Sequence, residues 1–236
     1  MNRALAFLPL LALAAPAVAA DRSFVVTNFD RVRVDGPFEV RVVVGGNSAK
    51  ASASGDTRSL AALDVQVQGT TLVVRRAVDG WGEQGRTPGP APIVTLTVPD
   101  LHGASVIGGG KLAIAGQVRG QRVDFTVTGN GSVAASAIDA DQLIVTLIGA
   151  GTATLGGKAA SARLLTNGSG VIAAMPLVVG DLTVRLDGPG ETQVSARYTA
   201  NVTTTGLGRI VVGGSPKCVT KAPAGGPVQC GAGDRQ

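Results

Sequence analysis

A single histidine, His102, and two cysteines, Cys218 and Cys230, are the only imidazole and thiol groups in this 236-residue chain. One imidazole excludes multi-His metal sites, two thiols fall short of a zinc ribbon, and a His-based triad has only His102 to draw on. The cysteines are not Cys-x-x-Cys and flank a Gly/Pro-rich stretch, so in an oxidising compartment they are expected to form one disulfide closing a short loop. Gly108-Gly109-Gly110-Lys111 has the glycines of a phosphate loop, but Leu112 stands where Ser or Thr is required and a strand pattern follows, so that chemistry is set aside. Asp187 with Glu191 is a lone acidic pair, and no calcium-binding Gly-Gly-x-Gly-x-Asp occurs. Arg163 and Arg185 are expected on adjacent repeats without a carboxylate pair beside them, which is too little for glycoside chemistry. No catalytic residue, metal ligand or cofactor is assigned. His102 is expected at an inward position, bonded to backbone. Trp81, in a Gly-rich loop, is the one candidate ligand contact, because an exposed indole can stack on a sugar or enter a partner's pocket.

The elements that would position these residues are marked by glycine. Gly-x-Gly recurs six times, at Gly108/Gly110, Gly129/Gly131, Gly149/Gly151, Gly168/Gly170, Gly188/Gly190 and Gly206/Gly208, and the first glycines are spaced by 21, 20, 19, 20 and 18 residues. That period belongs to solenoids. All twelve are expected as turn glycines, the second of each pair also facing inward where a Cβ would crowd its stacked neighbours. Positions two, four and six before each first glycine, and four and six after it, make 30 sites, of which 26 are apolar and none is Asp, Glu, Lys or Arg. The interleaved positions hold Lys111, Asp124, Arg163, Arg185, Asp187, Glu191 and Arg209 among many threonines. Alternation on both sides of a corner predicts two strands per repeat, each with one buried face. A repeat of this length cannot bury its own apolar face, so repeats must stack in parallel at about 4.8 Å per rung. The paired corners take 12 of the 34 glycines, and a narrow interior accounts for only seven aromatic residues.

Residues 1–20 carry Arg3, an apolar run and Ala17-Val18-Ala19-Ala20, the pattern of a secretory signal cleaved after Ala19 or Ala20. The run is too short to span a bilayer, and no transmembrane segment is expected in the mature chain. The formal net charge is +5, dispersed, so no nucleic-acid partner is expected. In the first half, Val32, Val34, Phe38, Val40 and Val42 alternate around Gly36-Pro37. Asp56 caps a short helix, and residues 65–74 form a hairpin around Gly69-Thr70. The expected division is a signal peptide at 1–20, a β-helix domain at 21–214 with a protruding Gly/Pro loop at 79–92, and a C-terminal tail at 215–236 holding the disulfide loop. The N-terminal hairpin and the Cys218/Cys230 loop are the candidate caps of the open ends.

Phe29-Asp30-Arg31-Val32-Arg33-Val34-Asp35-Gly36-Pro37-Phe38-Glu39-Val40, Leu96-Thr97-Val98-Pro99-Asp100-Leu101 and the serial Gly-x-Gly turns resemble the bacterial family of the auto-transporter adhesin, head GIN domain. The resemblance covers about residues 24–214. It implies a right-handed parallel β-helix and an exported, non-catalytic protein of adhesion or the cell envelope, periplasmic or at the cell surface, with a glycan or an envelope protein as partner. It carries over no site residues. Two other classes stand beside this reading: a polysaccharide-active enzyme, which needs clustered carboxylates, and a self-associating structural component of the envelope.

Overall fold

The computed structural model describes residues 20–77 and 91–231. In its first part are β1 (Ala20–Phe24), β2 (Arg31–Asp35), β3 (Glu39–Val44), β4 (Lys50–Gly55), the helix α1 (Thr57–Ala61), β5 (Leu63–Gln68), β6 (Thr71–Arg76) and β7 (Ile93–Val98). Shorter and longer strands then follow as β8 (Gly103–Gly108), β9 (Lys111–Ala115), β10 (Val118–Gly129), β11 (Ser132–Gly149), β12 (Thr152–Asn167), β13 (Val171–Asp187), β14 (Glu191–Thr204), β15 (Arg209–Gly214), β16 (Lys217–Lys221) and β17 (Val228–Cys230). Together they make a β-solenoid of about six turns.

The ladder is in register from glycine to glycine. Gly108, Gly129 and Gly149 stack directly, and Val106, Val127 and Leu147 form one inward row beside them. Every inward position expected from the repeat is buried except His102. Apolar rows such as Ala104, Phe125, Val145, Leu164, Val184 and Val202, aliphatic but for Phe125, therefore stack through the core, each large side chain contributing about 1.5–3 kcal/mol by burial. Thr166, Thr192 and Thr204 are the buried polar exceptions. The Thr166 and Thr192 hydroxyls meet at 3.5 Å, and the Thr204 hydroxyl donates to the Gly206 carbonyl at 3.2 Å.

The expected two strands per repeat are corrected to three sides. In β11 the alternation slips at Ser136-Ala137 and again at Asp141-Gln142, where two successive residues stay out of the core. The strand bends there without breaking. A short side results, whose inward residues include Val118, Ile138, Ala140, Ala159, Leu177 and Val179. No glycine pair or proline is needed in β11 for these gentle bends, which is why counting from the Gly-x-Gly corners passed over them. Outward on this side, Asp139 lies 3.8 Å from Arg119 and 3.4 Å from Lys158 on the rungs either side of it.

The N-terminal end departs from sequential stacking. β2 lies between β6 and β8, and β3 between β7 and β9, all in parallel. The chain thus enters at the second rung, builds the end outside it, and crosses back. That end is made of antiparallel additions: β5 on β6, β4 on β7, and β1 on β4. The expected hairpin is β5–β6, and the expected helix is α1, whose cap Asp56 accepts from the Arg58 N–H at 2.8 Å and whose Leu60 is buried. At the other end, residues expected as a tail continue the stack, with β16 on β14 and β17 on β15. Cys218 and Cys230 are bonded, with Cα atoms 6.3 Å apart, and tie the two sides of that last turn together.

The expectation of twelve turn glycines is corrected in part: the crowding expected at the second member of each corner is found, but that member does not turn. Gly108, Gly129, Gly149, Gly168 and Gly188 have positive φ and make the turn; Gly206 and all six second glycines do not. Gly110, Gly131, Gly151, Gly170, Gly190 and Gly208 are instead buried, at backbone angles any residue could adopt, and what they require is room. A Cβ on Gly170 would lie 2.7 Å from the Gly151 carbonyl oxygen, and one on Gly190 would lie 2.6 Å from that of Gly170.

Four of the turning glycines, Gly129, Gly149, Gly168 and Gly188, are crowded as well, whereas a Cβ on Gly108 would meet nothing nearer than 3.8 Å. Gly149 has φ +110°, and a Cβ on it would lie 2.6 Å from the Gly129 carbonyl oxygen, whereas Gly45, with φ +104°, would meet nothing within 4 Å. Gly45→Ala is expected to cost about 1–3 kcal/mol of backbone strain alone, and Gly149→Ala distinctly more; equal costs in chemical denaturation would refute crowding at the corner. Reducing the disulfide, which spans 12 residues, is expected to remove about 3 kcal/mol. Hydrogen exchange should then accelerate in 217–230 and stay unchanged in β10–β13.

Candidate binding face

With the interior filled by aliphatic rows, the described outer faces hold the exposed chemistry. The long side ends at the Gly-x-Gly corner, and alternate residues of each rung point out from it. Next to the corner the outward row runs Ile107, Thr128, Ile148, Asn167 and Asp187, and two residues earlier it runs Ser105, Thr126, Thr146, Leu165, Arg185 and Thr203. A third row holds Asp124, Ile144, Arg163, Thr183 and Asn201. The middle rungs thus expose an aliphatic strip of Ile148 and Leu165, with Ile148 46% exposed. A shallow hollow of about 170 Å³ lies here, edged by Thr146, Asn167, Arg185 and Asp187.

The polar edge is preorganised. Arg185 Nε donates to Asp187 Oδ2 at 3.0 Å, and the Thr205 hydroxyl, from the next rung, donates to Asp187 Oδ1. These bonds, the Thr205 one foremost and the Arg185 charge with them, hold the Asp187 carboxyl below its usual range. Arg163 has no ion-pair partner among the described residues, while Arg31, Arg33, Arg122 and Arg185 on the same side each face a carboxylate.

Arg163 sits opposite Thr183 and Arg185 opposite Leu165, so the two bases are diagonal rather than adjacent. Asp187 is engaged by Arg185 and Thr205, and Glu191 by the Gln193 amide at 2.8 Å; among the described residues no group of three or more His, Cys, Asp or Glu is arranged to hold a metal. His102 is corrected in both respects: it is half-exposed, outside the core, and its Nδ1 lies 3.3 Å from Asp30 Oδ2 instead of meeting a backbone group. Leu101 fills the core in its place. Gly108-Gly109-Gly110-Lys111 is a solenoid corner leading into β9. Trp81 lies outside the described residues.

Sequence reasoning missed three exposed apolar side chains on and beside the short side, Met175, Val178 and Tyr198, the tyrosine 62% exposed. Tyr198 stands beside Gly180 and Met175 reaches toward Gly213. The signal was available in Met175-Pro176 and Arg197-Tyr198, each a pair of successive outward residues at a bend.

The family described as "Putative auto-transporter adhesin, head GIN domain" matches residues 28–216. Among solved structures, a "putative adhesin" from Bacteroides fragilis NCTC 9343 superposes with a TM-score of 0.79 at 20% identity, covering 91% of this chain and 97% of that one. A "Putative lipid binding protein" from Parabacteroides distasonis ATCC 8503 gives 0.74 at 17% identity, with 91% and 97% covered. A "putative adhesin" from Parabacteroides merdae ATCC 43184 gives 0.66 at 16%, with 91% and 96% covered. At these identities the likeness is one of fold. No curated protein sequence matches the chain.

A carboxyl held below its ordinary value of 3.8 contributes stability that is complete above that value and is lost as pH falls through the lowered one. Thr205→Val is expected to move the Asp187 titration, followed by its carboxyl carbon shift, up toward 3.8 and to start acid destabilisation at higher pH. An unmoved midpoint would contradict the role given to Thr205.

Proposed function

The chain belongs to the auto-transporter adhesin, head GIN domain family, and from that premise we propose that it is an exported, non-catalytic protein that binds an extended glycan along the outer face of its long side. Residues 1–20 supply the export signal in this reading, and the disulfide suits an oxidising compartment. Outward groups repeat at about 4.8 Å along the rod, so neighbouring rungs present a regular series of contacts to a polymer laid along it. The observation that carries the reading is the hollow over Ile148 and Leu165, where an aliphatic floor meets the fixed polar groups of Thr146, Asn167, Arg185 and Asp187. Sugars offer the same two surfaces, C–H faces and hydroxyls. Arg163 adds an uncommitted cation for an acidic substituent.

A second reading has one specific support: Ile144 and Ile148 on the rung beside Arg163, and Leu165 on its own rung, all point outward, a combination that also suits an acyl chain with an anionic head. Glycan arrays and anionic lipid vesicles, each offered to wild type, Leu165→Asp, Arg163→Ala and Trp81→Ala, separate the two. Glycan binding is expected to fall at least tenfold in Leu165→Asp, about 1.4 kcal/mol, and to weaken in Arg163→Ala. Vesicle binding without glycan binding would select the second reading. A loss confined to Trp81→Ala would assign the binding to Trp81 and not to Arg163 and Leu165.

A further inference from the structure

The solenoid has four outermost strands among the described residues, each paired on one edge alone: β5 and β1 at the N-terminal end, β16 and β17 at the C-terminal end. Unpaired edges template further strands unless charge, shortness or a cross-link prevents it. β17 has three residues and ends at the disulfide. Self-pairing of β16 over its full length would centre Val219 on its copy and set Lys217 against Lys221; the same operation on β1 would set Arg22 against Arg22. β5 differs. Its one charge, Asp64, already meets Arg75 at 2.9 Å and the Gln66 amide at 2.7 Å.

The backbone of β5 is in the right phase. Ala77 N–H donates to the Ala62 carbonyl at 2.8 Å, and in an antiparallel ladder hydrogen-bonded pairs alternate with non-bonded ones. Residues 64, 66 and 68 therefore bond to β6, and the N–H and C=O groups of Leu63, Val65 and Val67 point to the free edge. Directly opposed residues in an antiparallel pair share a face, so two two-fold registers are open. One centres on Val65 and sets Leu63 against Val67 and Asp64 against Gln66; the other centres on Gln66 and sets Val65 against Val67 and Asp64 against Gln68. In both, apolar residues meet apolar residues and no like charges are opposed.

We propose that two copies of this chain pair antiparallel through β5, extending the sheet across a two-fold axis. The partner is a second copy, because the strand is complementary to itself in charge and in hydrogen-bond phase.

Light scattering of the disulfide-bonded chain at rising concentration is expected to move from the mass of one chain to that of two. Gln66→Glu sets a carboxylate against Asp64 in one register and against itself in the other, so the dissociation constant should rise about tenfold. Thermal unfolding at concentrations where the chain is single should fall only slightly, because Gln66 is exposed and gives up one surface bond, to Asp64. Gln66→Lys should tighten the dimer in the register centred on Val65 and weaken it in the one centred on Gln66, while Lys221→Glu at the far end should have no effect. A chain that stays single at every concentration overturns the proposal and leaves this edge to a strand from another protein. A dimer indifferent to both Gln66 variants, or broken by Lys221→Glu, also overturns it.

Discussion

Everything in this molecule depends on backbone lying directly on backbone at the Gly-x-Gly corner. The Cβ that an alanine would add at Gly131 or Gly151 would fall 2.7 or 2.6 Å from the carbonyl oxygen of the rung below, closer than any real side chain comes. Gly170 and Gly190 continue the same column under the same restriction. With glycine there, the corner amides can reach those carbonyls, as Ala150 N–H does to Gly129 at 2.9 Å and Thr152 N–H does to Gly131 at 3.0 Å. The corner sets the register, and the register sets which residues face in. Gly36 at one end and Gly226 at the other stand against the corner glycines too, so the constraint reaches beyond the six regular repeats.

That column also explains what was legible. Glycine at a fixed period marks a place where only glycine fits, so inward rows could be counted from it, and they fail at His102 alone. The pattern put the crowding at the second glycine of each pair, but spacing does not say which member turns, and only φ shows that the second does not. The short side was hidden because its bends rest on two successive outward residues, such as Asp141-Gln142, which resemble any polar pair. The N-terminal crossing was hidden for another reason. Val32 and Val34 alternate equally well whether β2 stacks on the next strand in sequence or between β6 and β8, and alternation carries no information about neighbours. The last turn was read as a tail because Ala222–Gly226 lacks the Gly-x-Gly spacing, although Gly226 lies over Gly206 and Gly208.

The candidate face was less legible than the fold. Which rows point outward followed from the alternation, but the meeting of Ile148, Leu165 and Arg185 depends on rung-to-rung register, with Leu165 opposite both Thr146 and Arg185. Residues 17–20 apart become contacts only once that register is known. The same separation explains the division of labour: the interior must be uniform to stack, so variation and recognition fall to the outward rows and the bends.

The central claim is that distant parts of the chain lie in one outward row at the rung spacing. Ser105, Thr126, Thr146, Leu165, Arg185 and Thr203 occupy six successive rungs, so spin labels at Ser105 and Thr203 should be separated by about 24 Å, five steps of about 4.8 Å. A narrow electron-spin distance distribution at that value is the result the stacking requires. A broad distribution, or one centred well beyond it, would contradict the solenoid and with it the binding face.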